Sequence, residues 1–479
     1  MNLKKEGKKA VKWSILDKFL KRGVQFILSV ILARLLQPED FGVIAMAAIF
    51  VGWGEVFRDF GLGQALVQSK NVTEVHSSTI FHLNMIMGCV VAAILFIISP
   101  YVGEFYDNEM VVWVVRVAGI NFIINGLNVV QNSLLNKELN FKVGTISSFL
   151  AAVLSGMVGI VLAYLGFGVW SLLIQSLVSS VIATTYIWAK SRWRPRLIFN
   201  FKKTAPLFKK GTGFMGQALV DNIMGYAGIM AIGKMFSPGI LGIYDRGNSL
   251  AEMANSTFVL PMTRPLFPLF SKLQDDLNQL RSMYIKTLYT LNWLLILIAG
   301  ILLLCSHEIV CLLLGDKWEA SGEYLFLLSW IIPLYPNWAI STSLWKGLGL
   351  VKKVTFITFF EKSLFLLSIL ALFLGLREYA LCIIAANYIA NIVKASMTAR
   401  IIGVSLWEQY REWFLEMAIV VIAFAICSSI SSDSHVINMI IKMAIFLGLY
   451  IGVGHCKKIE GYLSSKNQIY SLLKSIGRK

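Results

Sequence analysis

The sequence predicts an all-α, polytopic membrane protein of about fourteen transmembrane helices, in two pseudo-symmetric lobes of about six helices each plus two accessory helices. Three observations carry that expectation. The 479-residue chain is 57% hydrophobic and only 15% charged, against roughly 25% charge in a soluble globule. Runs such as Thr79–Ser99, Thr145–Tyr164, Leu288–Leu304 and Met417–Ile430 carry no charge and approach or meet the about 20 apolar residues that cross a bilayer. A turn-bearing segment also recurs at matching places in the two halves.

Read against Gly, Pro and charge breaks, the apolar runs place spans at about 13–35, 41–66, 79–100, 110–134, 144–165, 168–189, 211–233, 240–263, 287–305, 323–345, 354–375, 378–400, 413–431 and 436–455. The chain then divides into an N-terminal lobe at 1–190, a basic linker at 191–210, a C-terminal lobe at 211–400, and the accessory pair with its tail at 401–479. Nothing is left over for a soluble catalytic domain. The lysine-rich start is followed by an apolar run broken by charge and lacking a small-residue cleavage site, so no cleavable signal peptide is expected.

Lysine and arginine set the orientation, because positive loops stay cytoplasmic. One side holds Lys4, Lys5, Lys8, Lys9 and Lys12, then Lys137 and Lys142, then the cluster from Lys190 to Lys210. The other side holds Glu104, Asp107, Glu109, Asp316, Glu319, Glu323 and Asp433. Both termini are expected in the cytoplasm, with Ser191 and Lys203 on that side and Asn108 and Ser321 outside. The net charge of +17 is accounted for by this pattern and by contact with anionic headgroups, so nucleic acid is not an expected partner.

Ionisable groups inside spans are costly and tend to face a bundle interior or a wet cavity. On span one, Ser14, Asp17, Lys18, Lys21, Arg22, Gln25 and Ser29 fall within one arc of about 140°. A snorkelling cationic start explains the shallow members; Gln25 and Ser29 lie too deep for that. Span two ends in Glu55, Arg58 and Asp59, as a structural ion pair or as part of a binding site. Asn121, Asn125, Asn128 and Asn132 form a stripe on span four whose favoured reading is interhelical amide bonding. Span seven offers Gln217 and Asp221, and span eight offers Asp245, Ser249, Glu252 and Ser256 on one face with Arg246 beside it. Spans eleven and twelve add Glu361 and Lys362, then Asn387, Asn391, Lys394 and Thr398.

Six cysteines are scattered over different spans without Cys-x-x-Cys spacing. They read as buried small hydrophobes, and neither a metal nor another cofactor is expected.

The repeat is visible by eye: Ala33–Val43 (ARLLQPEDFGV) matches Gly233–Ile243 (GKMFSPGILGI) in its small residue, cation, proline and glycine. Proline cannot extend the outgoing helix, and glycine permits a close helix start. Both copies fall on one side of the membrane, which makes the repeat parallel, with its axis along the membrane normal.

Leu32–Met46 (LARLLQPEDFGVIAM), Phe57–Gln68 (FRDFGLGQALVQ) and Gly242–Arg246 (GIYDR) resemble the polysaccharide transporter family of the multidrug/oligosaccharidyl-lipid/polysaccharide exporter superfamily. Within it the chain looks most like Wzx-type repeat-unit flippases and the exporters for colanic or teichuronic acids. The resemblance implies a MATE-like pair of rocking lobes around a central cavity, in a bacterial inner membrane, moving an undecaprenyl-diphosphate-linked oligosaccharide by alternating access. It implies membrane lipids, polysaccharide polymerase or assembly proteins, and a coupling ion, H+ or Na+, as partners. Lipid-II flippases of the superfamily have a similar Asp-Arg pair early in span eight and cations on span one. That resemblance supports Lys18, Lys21, Arg22, Arg58 and Arg246 as the anionic-headgroup site, with Asp17, Gln25, Glu55, Asp59, Asp221, Asp245 and Glu252 as cavity or coupling residues.

Two other function classes compete. A drug/cation antiporter of the same fold would trade substrate for protons or sodium at carboxylates such as Asp221 and Glu252. A membrane glycosyltransferase, polymerase or ligase would need a large outer loop with paired carboxylates; Glu39-Asp40 sits in a short loop and Asp275-Asp276 in a bare connection. No Gly-x-x-x-x-Gly-Lys-Ser/Thr loop occurs, so the chain is expected to be neither an enzyme nor an ATP-driven pump.

Overall fold

A computed structural model describes residues 23–59, 61–69, 72–138, 140–263, 265–430 and 434–466. Among the described residues there are helices and no strands. The chain forms two compact units, Met1–Gly242 and Ile243–Lys479.

The first unit holds α1 (Gly23–Leu35), α2 (Pro38–Asp59), α3 (Leu62–Gln68), α4 (Glu74–Tyr106), α5 (Glu109–Gly126), α6 (Val129–Lys137), α7 (Phe141–Tyr164), α8 (Val169–Lys190) and α9 (Phe201–Met235). Each start has a local cause. Pro38 occupies the first position of α2, where its missing N–H costs nothing, and the Asp40 carboxylate accepts from Gln37 N–H at 2.9 Å. The Asn108 side chain caps α5, and that of Asn200 caps α9. Predicted span two is broken: Gly61, at φ 67°, turns α2 into α3, a left-handed conformation that glycine adopts without strain. Span four is broken as well, at Leu127 and Asn128, and the Trp188 indole donates to the Leu127 carbonyl at 3.1 Å. The asparagine stripe bonds between helices as expected: Asn121 donates to Ser176 at 3.0 Å and Asn128 to Thr184 at 2.5 Å.

The boundary between the units falls within α10 (Pro238–Ala254). The second unit continues through α11 (Leu260–Thr263), α12 (Leu266–Lys272), α13 (Leu277–Leu314), α14 (Ser321–Ser329), α15 (Tyr335–Gly347), α16 (Val351–Ile369), α17 (Leu376–Ile402), α18 (Leu406–Cys427) and α19 (His435–Cys456). A π-helical turn at Asn255–Val259 interrupts span eight, so the single-face argument for Asp245 and Glu252 does not extend to Ser256. α13 kinks at Cys305 (φ −119°, ψ 20°). Ser405 and Glu408 form a reciprocal capping box that starts α18.

Buried polar side chains tie the second unit together. Tyr284 of α13 donates to Gln409 of α18 at 3.1 Å and lies 3.0 Å from Ser341 of α15, while Gln409 donates to the Ala395 and Val404 carbonyls. In lipid such bonds hold helices together, because neighbouring tails supply no hydrophobic drive. The accessory helices pack on α13: Trp293 and Tyr450 stack at 4.0 Å, and Tyr450 donates to the Trp293 carbonyl. Backbone N–H groups of Glu460 and Gly461 donate to Glu412, which fastens the start of the tail.

Nine helices among the described residues are long and apolar enough to cross a membrane. Along α8 and α19 only 11% of the apolar window is buried, and an apolar surface of that extent fits a lipid solvent. Two helices that fall short, α10 and α18, carry ionisable side chains: Asp245, Arg246 and Glu252 on one, Glu408, Arg411, Glu412 and Glu416 on the other.

Candidate functional site

Asp17, Lys18, Lys21 and Arg22 lie outside the described residues, and the side chains of Asp59 and Asp221 likewise. The remaining predicted residues divide between the two units.

In the first unit, Arg58 sits in the last turn of α2. Its Nε is buried without a hydrogen-bond partner, and its guanidinium lies 6.0 Å from the Phe122 ring centroid. This is a fixed cation held half-buried, since arginine stays charged in proteins. Glu55, one turn earlier, is exposed. Gln25 lines a cavity of about 440 Å3 bounded by α1, α2, α5, α7 and α8.

In the second unit, Arg246 donates to Asp245 at 2.7 Å, both side chains being less than one-fifth exposed. Glu252 accepts from the Tyr335 hydroxyl at 2.7 Å and from Asn255 at 3.3 Å. One turn along α15, the Trp338 indole donates to Glu361 at 3.0 Å, and Glu361 also accepts from Lys394 at 2.9 Å. The Lys394 ammonium, 1% exposed, lies 4.6 Å from the Trp338 ring centroid. Glu361 and Lys394 were read separately in the sequence; the structure pairs them.

Sequence reading missed Tyr335 and Trp338, and also Gln175 and the serines of α7 and α8 that face the cavity with Gln25. A signal was present. Ser148, Ala152 and Ser155 on α7, and Ser176, Ser179, Ser180 and Ala183 on α8, recur at helical spacing, but uncharged small residues raise no alarm in an apolar segment.

The first unit offers a half-buried guanidinium that can hold an anion and an uncharged polar cavity; the second offers another such guanidinium and carboxylates that accept from a hydroxyl, an amide and an indole. Nothing in these side chains forms a nucleophile–base pair.

The succinoglycan biosynthesis transport protein ExoT of Rhizobium meliloti (strain 1021) is 27% identical over 322 residues, 67% of this chain and 65% of that protein. The lipopolysaccharide biosynthesis protein WzxC of Escherichia coli (strain K12) is 24% identical over 332 residues, 68% of this chain and 67% of that one. The chain thus spans about two thirds of the length of these curated relatives. Among solved structures, the lipid II flippase MurJ in an inward closed conformation superposes with a TM-score of 0.74 at 12% identity, covering 93% of this chain and 99% of MurJ, a likeness of fold. Residues 31–323, more than half of the chain, match the family described as polysaccharide biosynthesis protein, and the chain is a member of that family.

Proposed function

We propose that this chain is a flippase that carries an undecaprenyl-diphosphate-linked oligosaccharide across a bacterial inner membrane by alternating access, both termini lying in the cytoplasm. The observation that carries this reading is the presence of two half-buried guanidinium groups, Arg58 on α2 and Arg246 on α10. A charge kept there is costly, and a diphosphate repays the cost through charge-assisted, bidentate hydrogen bonds. Asp245 holds Arg246 while no substrate is bound. Relatives named for succinoglycan transport and lipopolysaccharide biosynthesis, together with the fold of a lipid II flippase, support the same assignment. We assign coupling to H+ or Na+ to Glu252 and Asp221, and the cations of span one, Lys18, Lys21 and Arg22, to first capture of the headgroup with Asp17. The chain hands its cargo to polymerase or assembly proteins and carries out no chemistry on it.

The test is reconstitution. Purified protein in liposomes loaded with labelled lipid-linked oligosaccharides of several structures should translocate at least one of them. Failure with every glycan, alongside ion-coupled uptake of organic cations, would replace the flippase with the antiporter.

A further inference from the structure

We propose that the cavity of the first unit is a glycan-binding subsite, which takes the neutral, hydroxyl-rich sugars of the cargo apart from its diphosphate. The inference rests on the flippase reading above and adds to it where the sugar is held.

The cavity measures about 440 Å3, within the roughly 300–1,000 Å3 of small-ligand sites. None of its sixteen lining residues is charged, and nine carry an amide or a hydroxyl. Such a density of polar groups among membrane helices has a cost of its own. Serines can offset that cost within their own helix: Ser155 donates to the Ala152 carbonyl at 3.4 Å and Ser176 to that of Leu173 at 2.9 Å. Those bonds use the hydroxyl hydrogen and leave oxygen lone pairs to accept, one of which on Ser176 already accepts from Asn121. The carboxamides of Gln25, Asn125 and Gln175, which helix bonding does not call for, bring both donors and acceptors to the same wall.

The chemistry of the lining selects its ligand. A divalent cation calls for carboxylates to balance its charge, and a diphosphate requires cationic donors; the lining carries neither charge type. A polyprenyl tail prefers an apolar wall. A sugar hydroxyl is both donor and acceptor, so it can meet serine oxygens that accept and carboxamides that do both, and the apolar side chains of Phe41 and Leu32 supply a surface for the C–H face of a ring. Arg58 lies in the same unit, so that unit carries both a cationic group and a neutral subsite.

The experiment uses the full chain in liposomes with an undecaprenyl-diphosphate-linked oligosaccharide bearing a photoreactive diazirine on a sugar. Crosslinks on the wild-type protein should map to α7 and α8 near Ser155 and Ser179. The near-isosteric double variant Gln175→Met/Ser179→Ala should lower both crosslinking and translocation by about tenfold, the loss expected for one or two neutral hydrogen bonds. Binding of bare undecaprenyl diphosphate, read by competition, should stay unchanged. Translocation by wild type with crosslinks elsewhere, or an undiminished rate in an abundant double variant, overturns the subsite and leaves the flippase standing. A variant that does not accumulate leaves the wild-type crosslink map to decide. Absence of translocation by wild type with any glycan sinks the flippase reading and this inference with it.

Discussion

Gly42 and Gly242 make reciprocal contacts: a Cβ on Gly42 would overlap the Pro238 carbonyl oxygen, and a Cβ on Gly242 would overlap the Pro38 carbonyl oxygen. Each proline opens its helix, α2 or α10, so the two helix starts cross backbone to backbone. Both contacts lie within the first unit, each turn's glycine receiving the carbonyl of the other turn's proline. The repeat seen in the sequence therefore has a physical purpose, since only glycine lets the two turns approach so closely.

Gly42→Ala or Gly242→Ala should each destabilise the protein by at least the about 1–3 kcal/mol of ordinary overpacking, because the obstacle is backbone and cannot rotate away. Gly448→Ala, which meets open space within helix α19, should be neutral or slightly stabilising. Thermal unfolding of the detergent-purified variants measures both; equal midpoints for all three would refute the crossing.

Arg58→Ala and Arg246→Ala should abolish glycan export while membrane abundance stays normal, and lysine at either position should restore only part of it, for want of the bidentate fork. Complementation of a polysaccharide-export mutant, with immunoblots of membranes, gives the readout. Normal export by both alanine variants at normal abundance would remove the anion-site role.

The Lys394–Glu361 pair should behave as a buried ion pair. Lys394→Ala leaves the Glu361 carboxylate without its cation, with the Trp338 indole still donating to it, at an expected cost of about 3–5 kcal/mol. The double change Lys394→Met/Glu361→Gln removes both charges and should recover most of that loss. A double variant no more stable than Lys394→Ala would show that the charges are not coupled.

Glu416 on α18 is fully buried, and neither carboxylate oxygen has a hydrogen-bond partner. Glu416→Met should accordingly raise the unfolding midpoint, by an amount corresponding to about 1–3 kcal/mol of relieved desolvation. A lowered midpoint would indicate that the carboxyl has a role in holding the fold.

For orientation, the structure changes which positions are informative. Ser321 is fully buried and donates to the Ile243 carbonyl, and Ser191 is 7% exposed. Cysteines at either would resist a thiol reagent on any side. Exposed Glu319 and Arg192 replace them: cysteines at half-buried Asn108 and at Glu319 should react with an impermeant reagent in whole cells, and those at Arg192 and Lys203 should not. Reversed labelling would invert the topology.

Much of the fold was legible because a membrane imposes a simple rule on composition: a segment without charge and of sufficient length is a helix in lipid. That rule located the helices. Proline and glycine punctuation exposed the repeat, and the positions of Asp245, Arg246, Glu252 and Arg58 on polar helix faces were already visible as costly exceptions. Asn121 of α5 and Asn128 at the break beyond it bonded to α8 as expected, because an amide in a membrane helix has few other partners.

Other features required three dimensions. Hydropathy averages over a window, so the turn at Gly61, the break at Leu127 and the π-helical turn at Asn255–Val259 left no trace in it. Glu361 meets Lys394 from another helix, 33 positions away, and periodicity describes one helix at a time. The cavity around Gln25 exists because small residues on α7 and α8 face one another, and helices of similar composition turned the other way would have offered the same serines to lipid. The chain's own chemistry determined that it is a bundle of membrane helices with misplaced charges; packing alone decided which of those groups meet, because a partner across a helix interface is set by rotation and register rather than by local composition.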